Sequence, residues 1–209
     1  MKLTKDKVSD LLKAQNALND KYVKGWRDEL QLEHFKSAFL CEFAEFLEST
    51  PRFGVNTLRF KGWKWWKTYL EDDVQNSKVE IIDILHFGLS YHILAKFQEK
   101  KLYLKPEDFD DNEFLIDFEE VLFSNSVKKN LLKLAYSEMD SFFETAELSH
   151  LFSFLYVLAS HHNMSMYDVY KGYFLKNELN LERIENGYLE GTYEKVDAQG
   201  NEDNRKLSV

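Results

Sequence analysis

The stretch Val79-Glu80-Ile81-Ile82-Asp83-Ile84-Leu85 sets two carboxylates three residues apart inside an otherwise apolar run. A second stretch, Phe39-Leu40-Cys41-Glu42-Phe43-Ala44-Glu45-Phe46-Leu47, repeats the arrangement with Glu42 and Glu45. A spacing of three puts both members of a pair on one face of a helix. Carboxylates flanked so densely by apolar side chains are half buried, and burying one uncompensated costs several kcal/mol or forces it to take up a proton. Four of them facing each other from two helices need a positive partner, and a hard divalent cation such as Mg²⁺ is the usual one. One such ion keeps several waters and takes the rest of its shell from substrate phosphates; four carboxylates have room for more than one ion, the arrangement suited to in-line displacement at phosphorus. A lone ExxE is ordinarily a solvated helix face; two pairs, each inside an apolar run, argue against that for this chain.

Outward from these pairs the pattern is helical throughout. The chain of 209 residues is 44% hydrophobic and 15% aromatic, with two prolines and eight glycines. That mixture favours a packed helical protein over disorder or a β-sandwich. Helices are expected near 4–22, 32–48, 76–100, 113–123, 127–138 and 142–160, and over a last segment opened by Ser165-Met166-Tyr167-Asp168, a capping-box pattern, and closed near Asn186-Gly187. Gly25 breaks the first periodic run, and Asn76 or Ser77 is the expected cap of the third helix. Residues 51–62 read as a basic insertion loop with Arg52, Arg59 and Lys61, 101–112 as a connector, and 188–209 as an irregular tail. The expected architecture is a single all-α domain over 1–209, a multi-helix bundle whose four-helix core carries the ExxE and ExxD pairs.

The net charge of −9 argues against nucleic-acid binding as a general role. A single cysteine, Cys41, excludes an internal disulfide framework and suits a reducing compartment. No apolar run approaches a membrane span and no signal peptide is visible, so a cytoplasmic location is expected.

Three further constellations carry chemistry. Lys176, Asn180 and Arg183 form one stripe of the last helix, two cations around an amide, which suits a phosphate-rich ligand; the plain alternative is a surface stripe paired with Glu178 or Glu182. Gln15 and Asn19 stand four residues apart on the apolar face of the first helix and could read a flat polar ring edge or simply bond each other. Trp63, Trp65 and Trp66 could stack on a base or fill a core. Asp83-x-x-His86 is half of a di-iron motif, but Glu48 rather than His follows the first pair, which disfavours iron.

In their order and content these segments resemble the all-α dimeric dUTPases, within the wider all-α nucleoside triphosphate pyrophosphatases related to MazG. The elements are Gln15-x-x-Leu18-Asn19-Asp20, Glu42-x-x-Glu45, Trp63-Lys64-x-Trp66-Lys67, Glu80-x-x-Asp83-x-x-His86-Phe87-x-Leu89-Ser90, and the long block from Lys176-Asn177 through Arg183, Gly187-Tyr188, Gly191, Tyr193 and Lys195, with Glu202-Asp203-Asn204 in the tail. The resemblance implies hydrolysis of dUTP, and of dUDP, to dUMP. It implies that Glu42, Glu45, Glu80 and Asp83 hold two or more Mg²⁺ ions, with Mn²⁺ as a substitute, and that Glu45 also orients or deprotonates the attacking water. Lys176, Asn180, Arg183, Lys195 and Asn204 would grip phosphates. Gln15 and Asn19 would read uracil beside Trp63 or Trp66, and Asp83 would also meet the sugar 3′-hydroxyl. It further implies a homodimer with sites built from both subunits. The basic insertion 51–62 departs from the compact members. Two rivals are a pyrophosphatase for another nucleotide, such as dCTP or a modified one, and an inactive helical interaction module.

Overall fold

The computed structural model describes residues 3–54, 62–67, 70–100, 130–196 and 203–207. Among them there are seven α-helices and no strand: α1 (Lys5–Tyr22), α2 (Trp26–Glu29), α3 (Leu32–Ser49), α4 (Val74–Lys100), α5 (Leu131–Thr145), α6 (Leu148–His161) and α7 (Met166–Glu185), followed by a 3-10 turn, Asp203–Lys206. The expected helix at 113–123, the connector 101–112 and most of the insertion loop lie outside the described residues.

α4 is the axis of the bundle, packed against α1, α3, α6 and α7. The reason is its composition. Val79, Ile81, Ile82, Ile84, Leu85, Leu89, Ile93 and Leu94 are all buried, and a helix that is apolar all round has to be surrounded. Its polar residues Glu80, His86, Ser90 and His92 are buried with it, so the second acidic pair is carried into the interior by the helix that builds the core. Gly88 on this helix faces Leu151 of α6. A β-carbon at position 88 would lie 2.5 Å from a Leu151 methyl, so the missing side chain is what lets the two helices close.

An aromatic cluster closes the other side. Phe39, Phe43 and Phe46 of α3 pack on Phe142 and Phe143 of α5, Phe154 of α6 and Phe53. These rings occupy one face of α3, leaving Glu42 and Glu45 on its flank toward α4.

Several boundaries differ from the sequence expectation. α4 starts at Val74 rather than near Asn76. Asp73 caps it: its carboxylate accepts from the Asn76 amide at 3.0 Å and its carbonyl accepts from the Ser77 amide. Ser77 is instead drawn inward, with its hydroxyl 2.7 Å from His162 Nε2. The break between the fifth and sixth helices falls at Ala146, not near residue 140, because Ala146 adopts a left-handed conformation (φ 56°) and donates its amide to Phe142 O. Ala does not announce such a turn. The four-residue α2 occupies what reads in sequence as a break after Gly25. It exists because Trp26 is fully buried and packs edge-on against Phe35. Ser165 and Asp168 form the expected capping box at the start of α7, and Asn186 caps its end.

Among the described residues no helix is long and apolar enough to cross a membrane.

Candidate active site

α7 inverts the usual order of faces. Its buried residues include Lys176, Asn177, Asn180 and Arg183, so the polar stripe points inward, toward α1 and α4. What it meets is a cavity of about 600 Å³. Gln15, Asn19 and Tyr22 of α1 line one side. Glu42 and Glu45 of α3, with Glu80, Asp83, His86 and Ser90 of α4, line the next. Lys176, Asn180 and Arg183 of α7, with Lys195 and Asn204 of the tail, complete it. Five separate segments therefore converge on one space.

Glu42, Glu80 and Asp83 each present an oxygen within 4.8 Å of the other two. Burial first, and then the neighbouring Asp83 charge, push both Glu42 and Glu80 well above the ordinary carboxylate range, and a hydrogen bond joins the two. One proton shared between them is the response of like charges confined at this distance. Glu45 lies outside this triad. It lines the cavity from an exposed position on α3, and its Oε1 accepts from Cys41 Sγ at 3.6 Å. The triad offers only carboxylate oxygens, has more negative charge than its surroundings neutralise, and opens on a polar cavity. That all-oxygen donor set fits a hard divalent cation, whereas zinc and iron sites ordinarily add nitrogen or sulfur ligands.

The cations opposite are occupied by partners distant in sequence rather than by Glu178 or Glu182. Lys176 Nζ donates to Asp83 Oδ2 at 2.7 Å and to Asn204 Oδ1 at 2.9 Å. Arg183 makes a two-pronged contact with Asp203, from Nε at 3.0 Å and from Nη2 at 2.6 Å. Nη2 also donates to Asn204 Oδ1 and Nη1 to Asn180 Oδ1. Four of the five guanidinium N–H groups are thus engaged within the protein. Burial alone would raise the Asp203 carboxyl, but Arg183 and the Tyr193 hydroxyl, donating at 2.8 Å, hold it below its usual range. Asp203 is the tail's anchor. In the sequence it is only part of a motif; nothing local marks it as the partner of an arginine twenty residues earlier.

Gln15 and Asn19 are bonded to each other and also to Ser90. His86 is enclosed, stacked on Tyr173 with ring centres 4.3 Å apart. Its Nδ1 faces Ile82 O at 2.9 Å, and a carbonyl only accepts, so Nδ1 carries the proton and Nε2 a bare lone pair with no partner. Burial holds this histidine neutral by lowering it to about 4, against the opposing pull of Asp83. The sequence offers His86 only as half of a di-iron motif and as part of the family pattern; its buried, unpartnered acceptor is a structural finding.

The tryptophans stand apart. Trp63 Nε1 donates to Leu47 O and Trp66 is 56% exposed; neither lines the cavity of its own chain. Buried Lys64 between them stacks on the Trp63 ring and pairs with Glu48.

A family model described as dUTPase matches residues 7–188. The chain belongs to the all-α dUTPase family. It is a dUTP diphosphatase, an enzyme that hydrolyses dUTP. The matched segment holds all of the acidic, amide and α7 residues above, while Lys195, Asp203 and Asn204 lie beyond it. Comparison with curated proteins returned no match.

Proposed function

We propose that this dUTP diphosphatase works with Mg²⁺, two or more ions per site, and takes both dUTP and dUDP to dUMP. The observation that carries this reading is the carboxylate triad of Glu42, Glu80 and Asp83 facing the cations of α7 across one cavity. Glu42, Glu80 and Asp83 would hold the ions, with Glu45 completing the set. When bound, the cations draw off the negative charge that develops on the phosphate oxygens.

The protein's own groups do the rest. Glu45 is exposed and outside the proton-sharing pair, so it is free to take a proton from the attacking water. Lys176, Lys195, Asn180, Asn204 and the remaining Arg183 N–H group hold the phosphate chain and stabilise its charge during in-line displacement. Gln15 and Asn19 hydrogen-bond the uracil edge, and buried amides left unpaired reject a mismatched base. Asp83 would meet the sugar 3′-hydroxyl as well as a cation. Trp66, exposed on its own chain, is available to a second copy, which agrees with a homodimer whose sites draw on both subunits. We further propose that residues 1–209 act as one domain. A cytoplasmic location agrees with the single free, exposed cysteine.

Pyrophosphate release from dUTP, dCTP, dTTP and dATP, and phosphate release from dUDP, each with Mg²⁺, Mn²⁺ or EDTA, test the proposal. Turnover confined to the uracil nucleotides and stopped by EDTA is expected. Metal-independent turnover would overturn the assignment of the triad, and dominant turnover of a non-uracil nucleotide that of the base-reading pair.

A further inference from the structure

We propose that Tyr173, which does not line the cavity, sets the base specificity of the enzyme by fixing which way the Gln15 amide points. The inference rests on the proposed role of Gln15 and Asn19 in reading the base. Tyr173 is fully buried behind the cavity wall. Its oxygen accepts from Asn177 Nδ2 at 3.3 Å, so its one proton is directed elsewhere. Gln15 Oε1 lies 3.0 Å away and Leu11 O 3.4 Å away, and the shorter contact takes it. A donor at that point requires the oxygen, not the nitrogen, of the Gln15 amide.

The remaining bonds follow from this one. Gln15 Nε2 is turned toward Asn19 Oδ1 at 2.9 Å and Ser90 Oγ at 3.0 Å. Asn19 Nδ2 donates to the same Ser90 oxygen at 2.9 Å. Ser90 can accept from both amides because its own proton goes to His86 O at 3.0 Å, with Asn19 Oδ1 at 3.3 Å the longer alternative. Inverting the Gln15 amide would set its oxygen against Asn19 Oδ1, an acceptor, draw the Ser90 proton away from His86 O, and leave the Tyr173 proton only the longer contact to Leu11 O at 3.4 Å. The network is therefore fully paired in this orientation and less well paired in the inverted one, and it is held by Tyr173 at one end and Ser90 at the other. It leaves open one lone pair on Gln15 Oε1, one on Asn19 Oδ1 and one N–H of Asn19.

Orientation matters because uracil and cytosine have the same outline. At ring positions 4 and 3 uracil offers an acceptor and a donor; cytosine offers a donor and an acceptor. A wall of two amides free to invert would suit both bases. A wall held in one orientation leaves buried groups unpaired against the wrong one, and that penalty is what separates substrates of equal shape.

Tyr173→Phe removes the hydroxyl and keeps the ring and its stack on His86, so the fold is retained. The experiment measures kcat/KM for dUTP and for dCTP, with Mg²⁺, in the full-length wild type, Tyr173→Phe, Gln15→Ala and the double variant. The expected result is a fall of roughly tenfold in the dUTP/dCTP ratio for Tyr173→Phe, and a double variant whose ratio equals that of Gln15→Ala, since Tyr173 acts only through Gln15. A ratio unchanged in Tyr173→Phe but collapsed in Gln15→Ala overturns the inference and leaves the base-reading pair standing. Equal losses on both substrates in Tyr173→Phe mark a merely structural hydroxyl and overturn it too. A ratio unchanged in Gln15→Ala removes the reading on which the inference rests.

Discussion

Replacing Glu80 by Gln should make the metal-free protein more stable while removing its response to Mg²⁺. Glu80 is 5% exposed and shares a space of 4.8 Å with Glu42 and Asp83. Two unit charges at that separation repel by about 3.5 kcal/mol at an effective dielectric of about 20. The alternative open to the protein is to protonate Glu80 at neutral pH against its ordinary value of 4.5, which costs about 3.4 kcal/mol at 1.36 kcal/mol per unit. Both routes give the same ceiling, and Lys176, bonded to Asp83, lowers it. A gain of about 1–3 kcal/mol is expected, or roughly 2–12 °C in Tm for a chain of this size. Thermal denaturation in EDTA and in saturating Mg²⁺ reads both effects. The wild type should gain about 2.7 kcal/mol at a cation concentration of about 100 times Kd, and Glu80→Gln little or none of it. A variant that melts lower than the wild type in EDTA, or that keeps the full Mg²⁺ shift, would refute the electrostatic reasoning.

Glu45→Gln should reduce kcat by about two to four orders of magnitude with nucleotide affinity largely kept; equal loss of binding by calorimetry would remove the base role. Arg183→Ala strands the buried Asp203 carboxylate and should cost about 3–5 kcal/mol, part of it recovered in Arg183→Ala/Asp203→Ala. A single variant as stable as the wild type in urea unfolding would show that the tail is not held this way. His162 is lowered from 6.5 to about 4, first by burial and then by His161, against Asp72. Its folded value lies below its unfolded one, so its contribution is complete above about pH 6.5 and is lost as the pH falls toward about 4. The Tm of His162→Gln should therefore fall less steeply than that of the wild type across this window, and parallel curves would contradict the assignment.

What could be read in advance divides along physical lines. The acidic pairs, the capping box at Ser165 and the polar stripe of α7 are set by spacing within one helix, so periodicity exposes them. Ala146 in a left-handed turn, the four-residue α2 and the Asp73 cap depend on what packs around them, and propensity alone points elsewhere. The same holds for the site. Lys176 and Arg183 are visible as a cationic stripe, yet their partners Asp83 and Asp203 come from other segments, which a local pattern cannot pair. Trp63 and Trp66 stand out by composition, but composition does not say which way an indole faces, and here neither reaches the cavity of its own chain. Tyr173 gave no signal at all: one more aromatic at a core position, distinguished only by where its hydroxyl proton goes.

The cavity wall carries four carboxylates, Glu42, Glu45, Glu80 and Asp83, against Lys176, Arg183 and Lys195, and two of those three cations are already tied to acids. To a bare nucleotide such a mouth is repulsive, and free phosphate or pyrophosphate should be a poor competitor for it. On the proposed chemistry, only a nucleotide arriving with its counter-ions is admitted. The enzyme's throughput would then follow the free magnesium of its surroundings as closely as it follows the supply of dUTP, and magnesium depletion would idle it without any dedicated regulator.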